Sequence, residues 1–316
     1  MNRVFDQSLC QCYHEPMQNW LNRSRLRADE LEVRPALQSD QPAIYRLTES
    51  NHHVHFNLDW WTFDHWLYPD RASDAIWLAT HRTEVLGLLL APVDESPTVW
   101  LRAMAIADGY PVEPILVALL ERVLPTLRAA GINQVTALAH PEWLADWLPT
   151  AQFTALTEVI TFRKDDRNLA RPAGRTLAAI IRPATPQDIP AIVVNDRAAF
   201  DPVWWHSSKS IAHALQVVSH FSVAEFEGQV VGHAFSDLYG GQGHLIRLAV
   251  HPTFQRHGLG EQLAIEALNY QIAVGAFPFT VNTQSDNLPS QALYRRLGYW
   301  NVGQPVRVLQ RVIGHA

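Results

Sequence analysis

The chain is short of the features that mark several large classes of protein. It has two cysteines in 316 residues, Cys10 and Cys12, a C-x-C pair near the start. A structural zinc site normally takes four Cys or His ligands at close spacing, and only His14 and Glu15 adjoin this pair, so it reads as part of an inert tail and no metal is expected. No apolar run approaches the roughly 20 residues that cross a membrane. The opening MNRVFDQSLCQCYHEP has no apolar signal core, so the expected location is cytoplasmic. There is no excess of positive charge. With 25 Lys+Arg against 31 Asp+Glu and a pI near 6.2, the protein has no basic field for nucleic acid or an anionic membrane.

Two nucleotide-binding motifs are also missing. No G-K-[ST] follows a glycine-rich turn, which excludes a P-loop. A dinucleotide fingerprint needs G-x-G-x-x-G directly after a first strand. Here the pair Gly258 and Gly260 comes late, and position 263 is Leu.

What the chain does have is an internal repeat. VRPALQSDQPAI (33–44) matches IRPATPQDIPAI (181–192) at Arg, Pro, Ala, Asp, Pro, Ala and Ile, an offset of 148 residues. Further landmarks recur at about 144: Trp60-Trp61 with Trp204-Trp205, Ala105-Ile106 with Ala249-Val250, and Gly131 with Gly275. An ordered series over about 120 residues argues for a tandem duplication. The boundaries follow: an extension (1–32), helical or partly ordered; a first copy (33–163); a polar, then Ala/Arg/Pro/Gly-rich linker (164–179); and a second copy (180–316). The clusters HHVH (52–55) and WW (60–61) fit a packed aromatic core and surface histidines, with a cleft lining as the alternative.

In the second copy the periodicities read β-α-β-β-β-α-β-α-β, an α+β arrangement. TLAAIIRPAT gives a strand, PQDIPAIVVNDRAAF a helix, FSVAEFEGQVVGHAFSDL a hairpin about Glu227-Gly228, and GHLIRLAVHP a further strand. QRHGLGEQLAIEALNYQIAVG then carries an apolar helical face, followed by PFTVNT, DNLPSQALYRRLGYW and PVRVLQRVI as strand, short helix and strand. A turn from strand into helix leaves backbone N–H groups unpaired, and glycines let an anion approach them. Gly258 and Gly260 bracket such a turn, with Arg256 and His257 adding donors. By itself the pair also suits a plain tight turn.

The second copy resembles the GNAT superfamily of N-acyltransferases over about residues 180–312. The motif [QR]-x-x-G-x-[GA] matches Gln255 to Gly260, and a second motif matches Asn282, Asn287, Ser290, Ala292-Leu293-Tyr294 and Leu297-Gly298-Tyr299. The resemblance implies two tandem GNAT-like domains, each a mixed, mostly antiparallel sheet flanked by helices. It further implies acyl transfer from acetyl-CoA, or another acyl-CoA, to a small-molecule or peptide amine. The amides of Arg256, His257, Gly258, Leu259, Gly260 and Glu261 would hold the pyrophosphate. Leu248, Ala249 and Val250 would border the pantetheine, with backbone pairing from Leu248 and Val250, and Asn287 would bond the pantetheine or nearby backbone. Tyr294 would face the sulfur, where a phenol with a pKa near 10 can donate a proton to the departing thiolate. The Val250 amide would meet the oxyanion.

For the base, His244 occupies the place where many relatives have Glu, with His206, His233 and Asp237 as rivals. The first copy departs from the pattern. DGYPVEPILVALL (108–120) has two prolines and Glu113 where the glycine turn belongs, Trp143 stands opposite Asn287, and Thr150 opposite Tyr294. This half is expected not to bind CoA but to shape an acceptor cleft, with Trp60, Trp61 or nearby histidines. A catalytically silent acyl-CoA-binding or regulatory module is the alternative to the enzyme.

Overall fold

The computed structural model describes residues 26–67, 75–168 and 177–314. Cys10, Cys12, most of the N-terminal extension and the centre of the linker lie outside the described residues.

The first copy runs β1 (Glu32–Pro35), α1 (Gln41–Glu49), β2 (His53–Phe56), α2 (Phe63–Leu67), β3 (Ile76–His81), β4 (Glu84–Leu90), β5 (Thr98–Trp100), β6 (Ala103–Ile106), α3 (Val112–Ala129), β7 (Gln134–Leu138), α4 (Glu142–Trp147) and β8 (Thr154–Lys164). The second runs β9 (Ile180–Pro183), α5 (Ile189–Ala199), α6 (Ser208–Val217), β10 (His220–Phe226), β11 (Gln229–Tyr239), β12 (Gln242–Val250), α7 (Leu259–Ala273), β13 (Phe279–Gln284), α8 (Leu288–Arg296) and β14 (Trp300–Val312). One element departs from the expected order: α6. Its sequence SKSIAHALQV begins at a true N-cap, where the Ser207 hydroxyl accepts the Ser210 N–H at 3.0 Å. That signal, with Ile211 and Ala214 buried three residues apart, lies just after the Trp- and His-rich stretch 204–206.

The repeated R-P…D motif has a physical purpose. Arg34 forks onto Asp40 with bonds of 2.7 and 2.8 Å, and Arg182 onto Asp188 with two of 2.8 Å, each pair clamping the start of its copy to the following helix. Asp188 also accepts the Thr185 N–H at 2.8 Å.

The strands form a five-stranded sheet, β1-β3-β4-β6-β2, and a nine-stranded sheet, β5-β7-β14-β8-β13-β12-β11-β10-β9. The linker therefore divides the chain but not the sheets. β8, the last strand of the first copy, lies between β13 and β14 of the second, while β14 pairs with β7 of the first. The cores exchange residues in the same way: Leu309 and Ile313 pack into the first-copy core, and Ile160 and Phe162 into the second. Trp60 crosses as well, joining Ile192, Ile211 and Phe235 beneath α5 and α6.

Candidate active site

β12 pairs with β11 along its length, with a bulge at Ile246 between the facing pairs Ser236–Leu245 and Phe235–Arg247. On its other side the parallel partner β13 follows it only through Gly243, His244 and Leu245. From Ile246 to Val250 the two strands part and the edge of β12 is open. The His251 N–H donates to Val231 on the β11 side at 2.9 Å. Backbone groups alternate along a strand, so those of Leu248 and Val250 face the opening and those of Ala249 face β11.

The loop that follows is built to leave amides bare. Arg256 and Gly258 both take positive φ, 66° and 79°, and Gly258 caps α7 without any side-chain bond. The Gln255 side-chain amide donates to the Val250 carbonyl at 3.0 Å, pinning the loop to the strand end. No described residue accepts the N–H groups of Arg256, His257, Gly258, Leu259 or Gly260. A Cβ built on Gly260 would meet Leu293 and Val250 at 3.8 Å, an ordinary contact, so a methyl fits there without a clash. Arg256 and His257 are exposed beside it, and Glu261 is buried in the first turn, 3.9 Å from Arg296. Bare amides at the positive end of a helix form an anion site.

A cavity of about 330 Å³ leads inward from the opened edge, and Tyr294, His244, Leu248, Asn282, Asn287 and Ser290 all line it. Tyr294 is buried, and no described residue takes its hydroxyl. Burial pushes its pKa well above the usual phenol value, which keeps it protonated. Asn287 bonds nearby backbone, the second of the two partners expected for it. Its side-chain oxygen caps α8 by accepting the Ser290 N–H at 3.2 Å, and its NH2 lies 3.4 Å from Gln284 Oε1, so it holds nearby backbone. Asn282 Oδ1 accepts the Thr161 hydroxyl of β8 at 2.9 Å. His244 Nδ1 is 2.8 Å from Thr280 Oγ1, and burial pushes its pKa down to about 4.

Of the rival bases only His206 reaches the cavity. Burial and the Arg247 guanidinium drive its pKa well below the ordinary value. Asp237 is spent on tying β11 to the start of β10, accepting from the Ser219 hydroxyl at 2.7 Å and from the Leu238 N–H at 2.8 Å. His233 is fully buried, 3.6 Å from Asp196.

Asp196 and Arg247 are wall-builders that the sequence reading passed over. Arg247 Nε and Nη2 each donate to the Asp196 carboxylate at 2.8 Å, Nη2 also reaches the Trp204 carbonyl at 2.8 Å, and Asp196 accepts the His206 N–H at 3.2 Å. The pair fastens the Trp204–His206 segment to β12. An arginine inside the apolar run HLIRLAV was the available signal, since a charge there requires a buried partner.

The far wall comes from the first copy: Trp60, Trp100, Asp59, Arg102, Leu138 and Val159. Trp60 Nε1 donates to the Ser210 carbonyl at 3.2 Å and Trp100 Nε1 to that of Val203 at 2.8 Å, so both indoles are fixed across the two copies. Asp59 adopts φ 52° and meets Arg102 at 2.5 Å. Trp61 is not part of this wall; it stacks on His213 with ring centres 3.7 Å apart.

The same gap in the first copy is closed by its own chain. The HHVH stretch forms β2, which pairs antiparallel with β6 from His53–Ile106 to Phe56–Ala103. Helix α3 also starts early: six positions separate Ile106 from Val112, against nine from Val250 to Leu259, so an extra helical turn fills the place of the glycine loop.

A splayed strand pair, a bare helix start beyond it and a phenol in the adjoining cavity mark the second copy, while the first copy repeats the sheet-and-helix frame with the gap filled. Residues 191–299 match the acetyltransferase (GNAT) family. The mycothiol acetyltransferase of Arthrobacter sp. (strain FB24) is 25% identical over 294 residues, 86% of this chain and 85% of that protein. Among solved structures, a GCN5-related N-acetyltransferase from Kribbella flavida superposes with a TM-score of 0.62 at 15% identity, over 89% of this chain and 71% of that one. A tandem GNAT protein from the clavulanic acid biosynthesis pathway superposes with 0.58 at 16% identity, over 90% and 99%. Residues 191–299 thus carry the likeness to the GNAT acetyltransferase family, and the chain as a whole shares the fold of a tandem GNAT protein.

Proposed function

We propose that the protein transfers an acetyl group from acetyl-CoA to a primary amine held between its two halves. The observation that carries this reading is the cavity beside the opened strand: Leu248 of the free β12 edge and Tyr294 line it together with Trp60 and Trp100, and the bare amides of residues 256–260 follow just beyond the end of the same strand. The donor supplies an activated acyl group as a thioester. Backbone groups of Leu248 and Val250 would hold its arm as an added strand, and the loop from Gln255 to Glu261 its diphosphate. The amine nitrogen forms a bond to the acyl carbon, the carbon–sulfur bond breaks, and sulfur takes the Tyr294 proton. The proton shed by the amine returns to Tyr294 through solvent, so none is gained or lost overall. Likeness to a mycothiol acetyltransferase along both halves supports a small-molecule acceptor.

The test is calorimetric titration with acetyl-CoA, followed by CoA release over a panel of amines. Failure of acetyl-CoA to bind overturns the proposal. Binding without amine-dependent CoA release leaves an acyl-CoA-binding module in its place.

A further inference from the structure

Few charged groups face the acceptor cavity, and the protein itself matches each of them. The first copy supplies Asp59 and Arg102, paired at 2.5 Å. β12 supplies Arg247, held by the buried carboxylate of Asp196. Tyr239 of β11 and Tyr294 of α8 are pushed up in pKa by burial and carry no charge near neutrality. His206, on the segment after α5, and His244 are pushed down and carry none either. The lining residues from β7, β8 and β13 are apolar or uncharged. Among the described residues the cavity therefore presents two guanidinium groups and one carboxylate, and that carboxylate is already engaged.

An ammonium group entering such a space must lose its water, meets two like charges and finds no free anion. We infer that the acceptor of the reaction proposed above is a weakly basic amine that enters uncharged, of the class of an α-amino group beside a carbonyl, rather than an ε-amine or a polyamine. The inference rests on that reaction and concerns only which amine the cavity admits. No strong base is then required at the site, which accords with two neutral histidines and no free carboxylate. Ionisation alone sets the scale. With pKa values of about 7.9 for an α-amine and about 10.4 for an ε-amine, the uncharged fractions at neutrality differ by about 300-fold.

The experiment titrates glycinamide and Nα-acetyl-lysinamide into the full chain saturated with coenzyme A, between pH 6 and 9, in two buffers of different ionisation enthalpy. Glycinamide is expected to bind about tenfold more tightly per pH unit up to its own pKa, releasing one proton below it, with Nα-acetyl-lysinamide at least a hundredfold weaker at pH 7. Arg102→Gln frees the Asp59 carboxylate and should improve lysinamide binding at least tenfold. Affinity independent of pH, stronger binding of the lysinamide at pH 7, or binding of neither amine overturns the inference. Failure of coenzyme A to bind overturns the proposed function instead, so the two are told apart.

Discussion

Val54 lies opposite Ala105 in an antiparallel ladder, and this pairing closes beside β6 the gap that stays open beside Ala249, 144 residues later. A strand of the chain occupies in one half the place that a cofactor arm would take in the other. The binding stoichiometry should therefore be one acetyl-CoA per chain, read from the inflection of a calorimetric titration. Two equivalent sites would contradict the role of β2 as a plug.

Gly260 separates stability from binding. It stands in the first turn of α7, where an added Cβ would touch Leu293 and Val250 at 3.8 Å without a clash, so Gly260→Ala should stabilise the unliganded protein by up to about 1 kcal/mol through helix propensity. If the amides beside it hold the diphosphate as proposed, the added methyl should crowd that approach and raise the dissociation constant for CoA at least tenfold. Thermal unfolding and calorimetry on the same variant read the two effects.

Tyr294→Phe should lower kcat by about a hundredfold, the low end for loss of a positioned proton donor, while the CoA dissociation constant changes less than twofold. Because burial raises its pKa beyond the ordinary phenol value, Tyr294 should add no inflection to the kcat profile between pH 6 and 9. Turnover equal to that of the parent protein would remove the tyrosine from the chemistry.

The interleaved strands predict that residues 177–316 do not fold alone. Without β8, strand β13 would expose its edge and β14 would lose its partners on both sides, leaving Phe162 and Ile160 missing from the core. Circular dichroism and size-exclusion chromatography should find this fragment unfolded or aggregated, and co-expression with residues 1–176 should restore a native complex.

Stability should fall in acid, and Asp196 and His244 act alongside His206 and His233, whose pKa values burial also lowers. Asp196, with its pKa lowered chiefly by Arg247 against the cost of burial, contributes stability above the unfolded carboxylate pKa and loses it as pH drops through its lower folded value. His244 acts earlier. Its folded pKa of about 4 lies below the unfolded 6.5, so the unfolded chain binds the proton first and stability declines between those values by about 3 kcal/mol. His244→Gln should make that part of the curve shallower in denaturant titrations run from pH 7 to 4, His206 and His233 keeping the rest of the slope. An unchanged slope would show that His244 is solvated.

The local sequence was sufficient wherever chemistry is carried by neighbours in the chain. The repeat, the hairpin at Glu227-Gly228, the loop from Gln255 to Gly260 and the helix bearing Tyr294 all depend on spacing over a few residues, and spacing is visible in a string of letters. The repeated Arg–Asp clamp was visible too, although its purpose was not. What folding in three dimensions alone decided is which distant segments meet. HHVH becomes a plug because a gap beside β6 exposes backbone groups that must be paired, and β8 and β14 trade places because the two copies share one continuous sheet. Asp59, Arg102, Asp196 and Arg247 acquired their roles in the same way. An ion pair on a cavity wall is a fact about closeness in space, and the partners here stand 43 and 51 residues apart in sequence.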